Sequence, residues 1–374
     1  MKVLFISNYR DGTGYAHAAQ QYILAMDFVG IDVVPRCIKL NNYAGEVPER
    51  IIELEQKTER GCNICVQFSL PHFFEYDGNF DKNIGLFCWE TSNFIATGWH
   101  SYLNLMDEVW VPCSDMINVC KNSMVNVPVK VVNIPCNPST YCSYYEPYEI
   151  DEINDTFVFY FIGELSPRKN IDALIKAFHI EFGLNENVSL IIKCNKSGLS
   201  PSECANFINE KIATIKSSLK LFGSPDKYRQ EIIIPSRLSN EEIMRLHTTC
   251  DCLVAPSRYE AWNIGCFDAM CMGKTPIATN AGGPTDYLDG AGILLNGIQT
   301  PVSDMSDYSE QFYTGREVWY DIDILQLGKA MRLIYENENI RNQLANTGIN
   351  RSIEFSYEVI GSKIMELLNE DQSS

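Results

Sequence analysis

Residues 252–288 read CLVAPSRYEAWNIGCFDAMCMGKTPIATNAGGPTDYL, and this stretch decides the fold class. The apolar run Cys252–Ala255 is short enough for a buried strand and is followed at once by a proline and a serine. Apolar residues then recur at helical spacing over Ile264–Cys271, a second short apolar run covers 276–278, and a Gly-Gly loop lies at 280–284. The stretch therefore predicts two strands, each followed by a loop and a helix, as in a parallel α/β sheet.

Two carboxylates, Glu260 and Asp268, flank the first of these loops. Helix N-termini at the carboxyl ends of parallel strands present unpaired N–H groups and a positive dipole end, which suit an anion. Acids at such a place would repel a phosphate unless they bind hydroxyls, and sugar hydroxyls are the obvious target. Two acids alone would more often be surface carboxylates of a helix, but the complete ordered string favours a binding site.

The order Pro-Ser-x-x-Glu, a second acid, Ala-Met, Gly-x-x-Pro and Gly-Gly resembles the signature of retaining nucleotide-sugar glycosyltransferases of family 4, among the glycosyl transferases of group 1. The resemblance implies an α/β protein of GT-B architecture, with two Rossmann-like doubly wound domains facing across a cleft. It also implies transfer of a sugar from a nucleotide diphosphate-sugar to an acceptor, with retention at the anomeric carbon. The chain departs from the family where Asp268 replaces the usual second Glu, and where Ala261 and Asn263 replace common glycines.

The length of 374 residues and the 45% content of hydrophobic residues allow two domains with separate cores. We predict an N-terminal Rossmann-like domain on the acceptor side over 1–148 and a C-terminal Rossmann-like donor domain over 149–350. The last segment, 351–374, is predicted to be a helix and a short disordered tail. The resemblance implies that this helix packs back on the N-terminal domain.

A basic pair, Arg168 and Lys169, follows the predicted strand 157–162 and precedes a helix that Asn170 is placed to cap. Basic residues gain nothing from the dipole at a helix N-terminus, so the pair indicates an anion between them. The resemblance implies that Lys169 binds the donor diphosphate. Glu164 stands where the family has an arginine, and we expect Arg168 to compensate. A solvated basic pair is the alternative interpretation.

The resemblance assigns further roles on the donor side. Glu260 would hold the transferred sugar and is the first catalytic candidate, while Asp268 would accept hydrogen bonds from the ribose hydroxyls. Arg237 lies in a loop that would hold the nucleobase. The remaining candidates are residues whose backbone N–H groups would bind the diphosphate and stabilise charge on the leaving group: Asn263, Ile264 and Gly265.

The N-terminal pattern is strand, glycine-containing loop, helix and strand, which makes a βαβ unit. Gly12 and Gly14 lie in its loop, but no third glycine completes the dinucleotide fingerprint, which disfavours an NAD-dependent dehydrogenase. The resemblance places this loop near the donor phosphates and the acceptor. Glu90, after the predicted strand 84–87, stands where many members carry a histidine and is the second catalytic candidate. A surface acid that caps the next helix is nearly as good an explanation.

Composition limits the partners and the compartment. A net charge of −18 argues against a broad nucleic-acid surface. The 14 cysteines lack the dense spacing of a disulfide framework and no secretory signal opens the chain, so we expect a cytoplasmic protein. No apolar run is long enough to span a bilayer, which leaves at most peripheral membrane contact. We expect no metal and no cofactor besides the donor substrate, and we interpret 321–323, an Asp-x-Asp triplet, as a helix cap.

Two other functions stay open from the sequence. A nucleotide-sugar epimerase of the same fold would form its product without an acceptor. A non-catalytic nucleotide-sugar or glycan-binding protein would bind the donor without transfer or hydrolysis, and the altered family positions make it conceivable. The chemistry of the acceptor (a glycan, a lipid-linked or another compound), the sugar, the nucleobase and the role of the predicted loop 299–321 are also open.

Overall fold

The computed structural model divides into two compact units. Unit 1 comprises Met1–Pro138, Ser309–Glu317 and Ser352–Ser374, and unit 2 comprises Ser139–Tyr308 and Val318–Arg351. The residues that the structure describes are 1–40, 44–153, 155–305 and 312–370. The end of the predicted disordered tail, 371–374, therefore lies outside the described residues.

Unit 1 is built on a six-stranded sheet of order β2-β1-β3-β4-β5-β6, and every strand pair is parallel. Its strands are β1 (Lys2–Ser7), β2 (Asp32–Cys37), β3 (Ile64–Phe68), β4 (Lys82–Leu86), β5 (Glu108–Val111) and β6 (Val129–Val131). Its first helices are α1 (Gly14–Phe28), α2 (Glu49–Leu54), α3 (His100–Leu103) and α4 (Asp115–Asn122). Because the strand order reverses between β1 and β3, the loops after these two strands diverge.

Unit 2 repeats this plan with a parallel sheet of order β12-β11-β10-β7-β8-β9. Its strands are β7 (Phe157–Glu164), β8 (Val188–Asn195), β9 (Ile232–Ile234), β10 (Cys252–Ala255), β11 (Ile277–Thr279) and β12 (Ile293–Leu295). The helices are α5 (Pro138–Cys142), α6 (Ile171–Glu181), α7 (Pro201–Leu219), α8 (Asn240–Thr249), α9 (Ile264–Cys271), α10 (Pro284–Tyr287), α11 (Ile324–Glu336) and α12 (Glu338–Arg351). The predicted α/β class with two doubly wound sheets is confirmed.

The strands of unit 2 are continuous apolar runs because helices cover both faces of the sheet. On one face of β7, Phe159 and Phe161 join a core that includes Phe178 of α6. On the other face, Tyr160 is fully buried and its hydroxyl lies 2.6 Å from Nδ1 of His247 in α8. The two helix layers therefore hold β7 in the centre of the unit and fix where its carboxyl end lies.

The last helix, α13 (Tyr357–Asn369), belongs to unit 1 and packs against α1. Ser356 caps it by accepting a hydrogen bond from the N–H of Val359. The hydroxyl of Tyr357 lies 2.6 Å from Oε1 of Gln21 on α1. The end of the chain is thus part of the same compact unit as its beginning.

An antiparallel hairpin occupies both ends of the predicted loop 299–321, and the prediction of a loop is wrong for these ends. The part of that prediction over 306–311 lies outside the described residues. Strands β13 (Gly297–Pro301) and β14 (Val318–Ile322) pair with each other, outside the six-stranded sheets. A two-stranded ribbon buries few side chains, so its sequence lacks a clear apolar alternation. The interpretation of 321–323 as a helix cap is confirmed, because Oδ1 of Asp323 accepts from the N–H of Gln326 at the start of α11.

Three further observations concern membrane-spanning helices, metal-binding groups and cysteines. Within the described ranges, no helix has the length and apolarity needed to cross a membrane. In the same part of the chain, no group of three or more His, Cys, Asp or Glu side chains is arranged to hold a metal ion. All 14 cysteines are free thiols.

Candidate functional site

The candidate site lies where the strand order of unit 2 reverses. Strands β7 and β10 are parallel neighbours, while β8 and β9 extend to one side and β11 and β12 to the other. Loops that leave two such strands diverge and form the usual ligand crevice of an open α/β sheet. The loop after β7 carries Arg168 and Lys169, and the loop after β10 carries Glu260.

These three side chains form one ion cluster. Nζ of Lys169 lies 2.5 Å from Oε1 of Glu260, and Nη1 of Arg168 lies 2.9 Å from Oε2. Glu260 is only 4% exposed, so burial raises its pKa, but the two cations outweigh burial and hold the pKa at about 2. The carboxylate is therefore ionised at neutral pH. Two cations against one carboxylate leave one positive charge at the crevice.

The loop that carries the cations is held in place by the loop after β10. The N–H of Arg258 donates to the carbonyl oxygen of Arg168 over 2.8 Å, and Nη1 of Arg258 donates to that of Pro167 over 2.7 Å. In return, Nη1 of Arg168 donates to the carbonyl oxygen of Tyr259 over 2.8 Å. The cations are thus oriented before any ligand binds, as an electrostatic site requires. Sequence reasoning missed Arg258, although it is a cation two residues before the key acid.

The Gly-Gly loop after β11 packs directly on the Glu260 loop. The N–H of Gly283 donates to the carbonyl oxygen of Glu260 over 2.9 Å. Gly282 has a φ of +65°, and a Cβ atom there would lie 2.0 Å from the same oxygen. A Cβ atom on Gly283 would lie 2.4 Å from Cα of Trp262. Glycine is therefore required at both positions, and this explains the Gly-Gly element of the pattern.

Helix α9 begins directly beyond the Glu260 loop. Asn263 precedes it with a φ of 69°, and its Oδ1 accepts from the N–H of Cys266 over 3.2 Å. Ile264 and Gly265 form the first turn, where helix N–H groups lack intrahelical acceptors. The hydroxyl of Tyr287 donates to the carbonyl oxygen of Trp262 over 2.8 Å and fixes the entry to the helix. The predicted N–H donors therefore lie at the same edge of the sheet as Glu260.

Asp268 has a hydrogen-bond partner within the protein. It is 5% exposed, and its Oδ1 accepts a hydrogen bond of 2.7 Å from the hydroxyl of Tyr141 on α5. Burial raises the pKa of Asp268 to about 7, although the Tyr141 hydrogen bond acts in the opposite direction. Sequence reasoning missed Tyr141, because it lies in a polar stretch without an apolar period. The proposed contact with ribose requires this hydroxyl to be exchanged for one of the ligand.

We expect the wild type to lose free energy of unfolding relative to Asp268→Asn as the pH is raised from 5 to 8. A folded-state pKa above the unfolded value means that the folded state binds the proton more tightly. The carboxyl group therefore lowers the free energy of unfolding as the pH rises from about 4 to 7, on the order of 1.4 kcal/mol per pH unit. Urea unfolding at several pH values measures the effect. Asp151→Asn, at an exposed position of unit 2, is the control. A difference that does not change with pH would contradict this expectation.

Three more residues of unit 2 carry predictions from the sequence. Oε1 of Glu164 accepts a hydrogen bond of 3.1 Å from the N–H of Ser197, so this acid is directed towards the loop after β8. Arg237 is exposed after β9. Burial lowers the pKa of Lys193, and the charge of Arg237 acts in the same direction. Asn170 is the N-cap residue of α6, as predicted, but its side chain caps no N–H and donates instead to Asp321 of β14 over 3.1 Å.

The predicted glycine loop of unit 1 packs against its own unit. A Cβ atom on Gly12 would lie 3.1 Å from the carbonyl oxygen of Ala44, and the N–H of Gly45 donates to the carbonyl oxygen of Arg10 over 2.9 Å. Gly14 begins α1 behind the N-cap Thr13. The close approach at Gly12 is therefore explained by a neighbouring loop of the same unit.

Glu90 also belongs to unit 1 and follows β4. It is partly exposed, and its charge contributes, after burial, to the raised pKa values of Tyr15 and Cys88. The hydroxyl of Tyr15 joins the ends of two strands, since it donates to the carbonyl oxygen of Ser69 and accepts from the N–H of Cys88, each over 3.1 Å. Glu90 is thus next to a rigid, hydrogen-bonded strand edge, whereas Arg168, Lys169 and Glu260 come together in unit 2.

The part of the chain that carries the ion cluster matches a known family. Residues 148–314 match the family model described as Glycosyl transferases group 1. The matched range includes both loops of the cluster and the Gly-Gly loop, so the resemblance stated from the sequence is confirmed for this region. The finer assignment to family 4 stays a prediction.

One curated relative matches a shorter stretch. Sucrose synthase 2 of Pisum sativum is 26% identical over 133 residues. These residues are 35% of this chain and 16% of the length of that relative. The match therefore concerns a single region of a much longer protein.

Solved structures resemble the chain over its whole length. Sucrose-phosphate synthase from Thermosynechococcus elongatus has a TM-score of 0.66 at 14% identity and covers 100% of both chains. HepE of Anabaena in complex with UDP-glucose has a TM-score of 0.66 at 14% identity and 99% coverage of each chain. A glycosyltransferase from Rickettsia africae has a TM-score of 0.63 at 12% identity, with 99% and 98% covered. At such identities the likeness concerns the fold, and the predicted GT-B fold is confirmed.

Proposed function

We propose that this chain is a retaining glycosyltransferase that transfers a sugar from a nucleotide diphosphate-sugar to an acceptor. The observation that carries the proposal is the cluster of Arg168, Lys169 and Glu260 at the reversal point of the unit 2 sheet. The group 1 family match covers this cluster, and HepE, which has a similar fold, is in complex with UDP-glucose.

The cations of the cluster suit a diphosphate. Arg168 and Lys169 carry one positive charge more than Glu260 compensates, and the two loops hold them in fixed positions. A diphosphate that leaves the sugar gains negative charge, and preorganised cations stabilise that charge most strongly in a site with little water. The N–H groups of Ile264 and Gly265 at the start of α9 would add to this stabilisation. We propose that these groups do the work without a metal ion or a further cofactor.

Glu260 would take a different role when the donor binds. In the free protein, each of its carboxylate oxygens faces a cation. Once the diphosphate binds the cations, these oxygens can accept hydrogen bonds from the sugar hydroxyls, which a carboxylate does well. Asp268 would bind the ribose hydroxyls in place of the Tyr141 hydroxyl, and Arg237 would contact the nucleobase. Glu90, with the loop of Gly12 and Gly14, would serve the acceptor on unit 1.

A non-catalytic nucleotide-sugar-binding protein is the second candidate. The contact between Tyr141 and Asp268 and the orientation of Glu164 towards Ser197 favour it, because both acids are engaged within the protein. Incubation with the donor alone and then with candidate acceptors separates the two functions. Transfer, or slow hydrolysis of the donor, supports the enzyme, whereas tight binding without either reaction supports the binding protein.

The donor itself is found by a thermal-shift scan of nucleotide diphosphate-sugars. A ligand that binds only the folded state stabilises it by about 2.7 kcal/mol at a concentration of 100 Kd, so the matching donor raises the Tm. Nucleoside monophosphates and free sugars serve as matched compounds without the diphosphate, and they are expected to give smaller shifts. The absence of a shift with every nucleotide diphosphate-sugar would reject the proposed function.

A compartment with a reducing environment fits this activity. All 14 cysteines are free thiols, and disulfides form mainly in oxidising compartments. We therefore propose that the chain acts in the cytoplasm.

A further inference from the structure

A cavity of about 330 Å³ lies in unit 2 next to the loop that carries the cations of the candidate site. Ser166 and Pro167 of that loop line it, whereas Arg168, Lys169 and Glu260 do not. The cavity therefore opens on another side of the same loop. Its volume lies at the lower end of the range of small-molecule sites.

Four basic side chains and three carboxylates line this cavity, which leaves one net positive charge in a chain whose net charge is −18. Nζ of Lys211 lies 2.8 Å from Asp172, and Lys176 has no carboxylate within 4.0 Å in the described part of the chain. Nζ of Lys196 lies 5.0 Å from the centre of the Phe207 ring. Arg258 is the fourth basic side chain, and its Nε lies 3.3 Å from Oδ1 of Asp321, which also lines the cavity. The net positive charge and the ammonium group of Lys176 favour an anionic ligand, because opposite charges attract over distances at which salt screens little.

The other lining residues suit the neutral part of such a ligand. Phe207 is 38% exposed and offers a flat apolar face. Leu165 and Ile171 form an apolar floor and are almost completely buried. The carboxylates of Asp172 and Asp304 can accept hydrogen bonds from hydroxyl groups. This combination of cations, an aromatic face and carboxylates matches a small, phosphorylated compound with several hydroxyls.

We propose that the cavity is a second ligand site, for a phosphate ester of a sugar-sized polyhydroxyl compound. Lys176 and Lys196 bind the phosphate, and Phe207 packs against the carbon skeleton. The ligand differs from the donor of the candidate site in that it needs no nucleoside and no diphosphate.

Arg258 connects this cavity to the candidate site. It lines the cavity, and it also donates hydrogen bonds to the carbonyl oxygens of Pro167 and Arg168. A ligand that changes the position of Arg258 therefore changes the position of the loop that carries Arg168 and Lys169. If the candidate site binds a nucleotide diphosphate-sugar as proposed, the two ligands change each other's affinity by the same factor.

Calorimetric titration of the full chain with glucose 6-phosphate tests the second site, with glucose as the uncharged match. We expect the wild type to bind the ester and not glucose. Lys176→Glu is expected to raise the Kd of the ester at least tenfold. Lys329→Glu, at an exposed position of α11 away from the cavity, and Lys169→Ala are expected to leave this Kd unchanged. Phe207→Ala is expected to weaken binding of the ester more than binding of inorganic phosphate.

Several results would overturn the proposal. One is that the ester does not bind at millimolar concentration. Another is that Lys176→Glu and Lys329→Glu weaken ester binding equally. A third is that Lys169→Ala loses ester binding while Lys176→Glu retains it. The last result would mean that the phosphate binds at the Glu260 cluster. Equal effects of Phe207→Ala on the ester and on phosphate would also reject the site as described. The thermal-shift scan with nucleotide sugars tests the proposed function separately, so its failure is distinguishable from failure of the second site.

Discussion

Glu260→Gln is expected to lower the kcat of sugar transfer by about a hundredfold, while the affinity for the donor stays the same or increases. The loss in kcat follows because the variant lacks the charge that would hold the sugar, and single preorganised electrostatic contacts contribute roughly 10² to 10³ in rate. The gain in affinity follows because Glu260 compensates Arg168 and Lys169 in the free protein. A neutral amide leaves both cations available to the diphosphate.

Steady-state transfer and donor titration, both corrected for the folded fraction, measure the two effects. The correction is needed because the variant leaves two partly buried cations without their carboxylate, which costs about 3 to 5 kcal/mol in comparable cases. Glu338→Gln, at an exposed position of α12, is the matched control and is expected to behave as the wild type. A weaker donor affinity with unchanged kcat would contradict the role assigned to Glu260.

Lys169→Ala is expected to raise the Kd of the donor by about ten- to a hundredfold. The variant loses a charge-assisted contact to the diphosphate, which contributes about 1.5 to 3 kcal/mol, and each 1.4 kcal/mol corresponds to a factor of ten. Glu260 keeps Arg168 as its partner at 2.9 Å, so no buried carboxylate is left without a cation and the unit is expected to fold.

Titration with the donor found in the thermal-shift scan measures this change, and Lys329→Ala is the control for the loss of one surface charge. The pair of site variants is informative because the two effects differ in kind. Lys169→Ala acts on donor affinity, whereas Glu260→Gln acts on turnover. Unchanged transfer rates in both variants would reject the assignment of the site.

Much of the fold could be predicted because strand and helix periods are local properties of the sequence. The strand Cys252–Ala255 and the helix Ile264–Cys271 have the bounds that the apolar pattern indicated. The Gly-Gly loop could be recognised because glycine marks places where no Cβ atom fits, as Gly282 and Gly283 demonstrate. The hairpin of β13 and β14 was missed because few of its side chains are buried, so its pattern carries no period.

The sequence by itself determined which elements form and which of their loops carry acids and cations. Only the tertiary structure decided that Lys169 meets Glu260, which is 91 positions further along the chain, because this contact depends on β7 and β10 being neighbours. It also decided that Arg258 joins the two loops and that the hydroxyl of Tyr141 donates to the carboxylate of Asp268. Strand order and helix packing bring such residues together although they are far apart in the sequence, and local propensity does not predict contacts of that range.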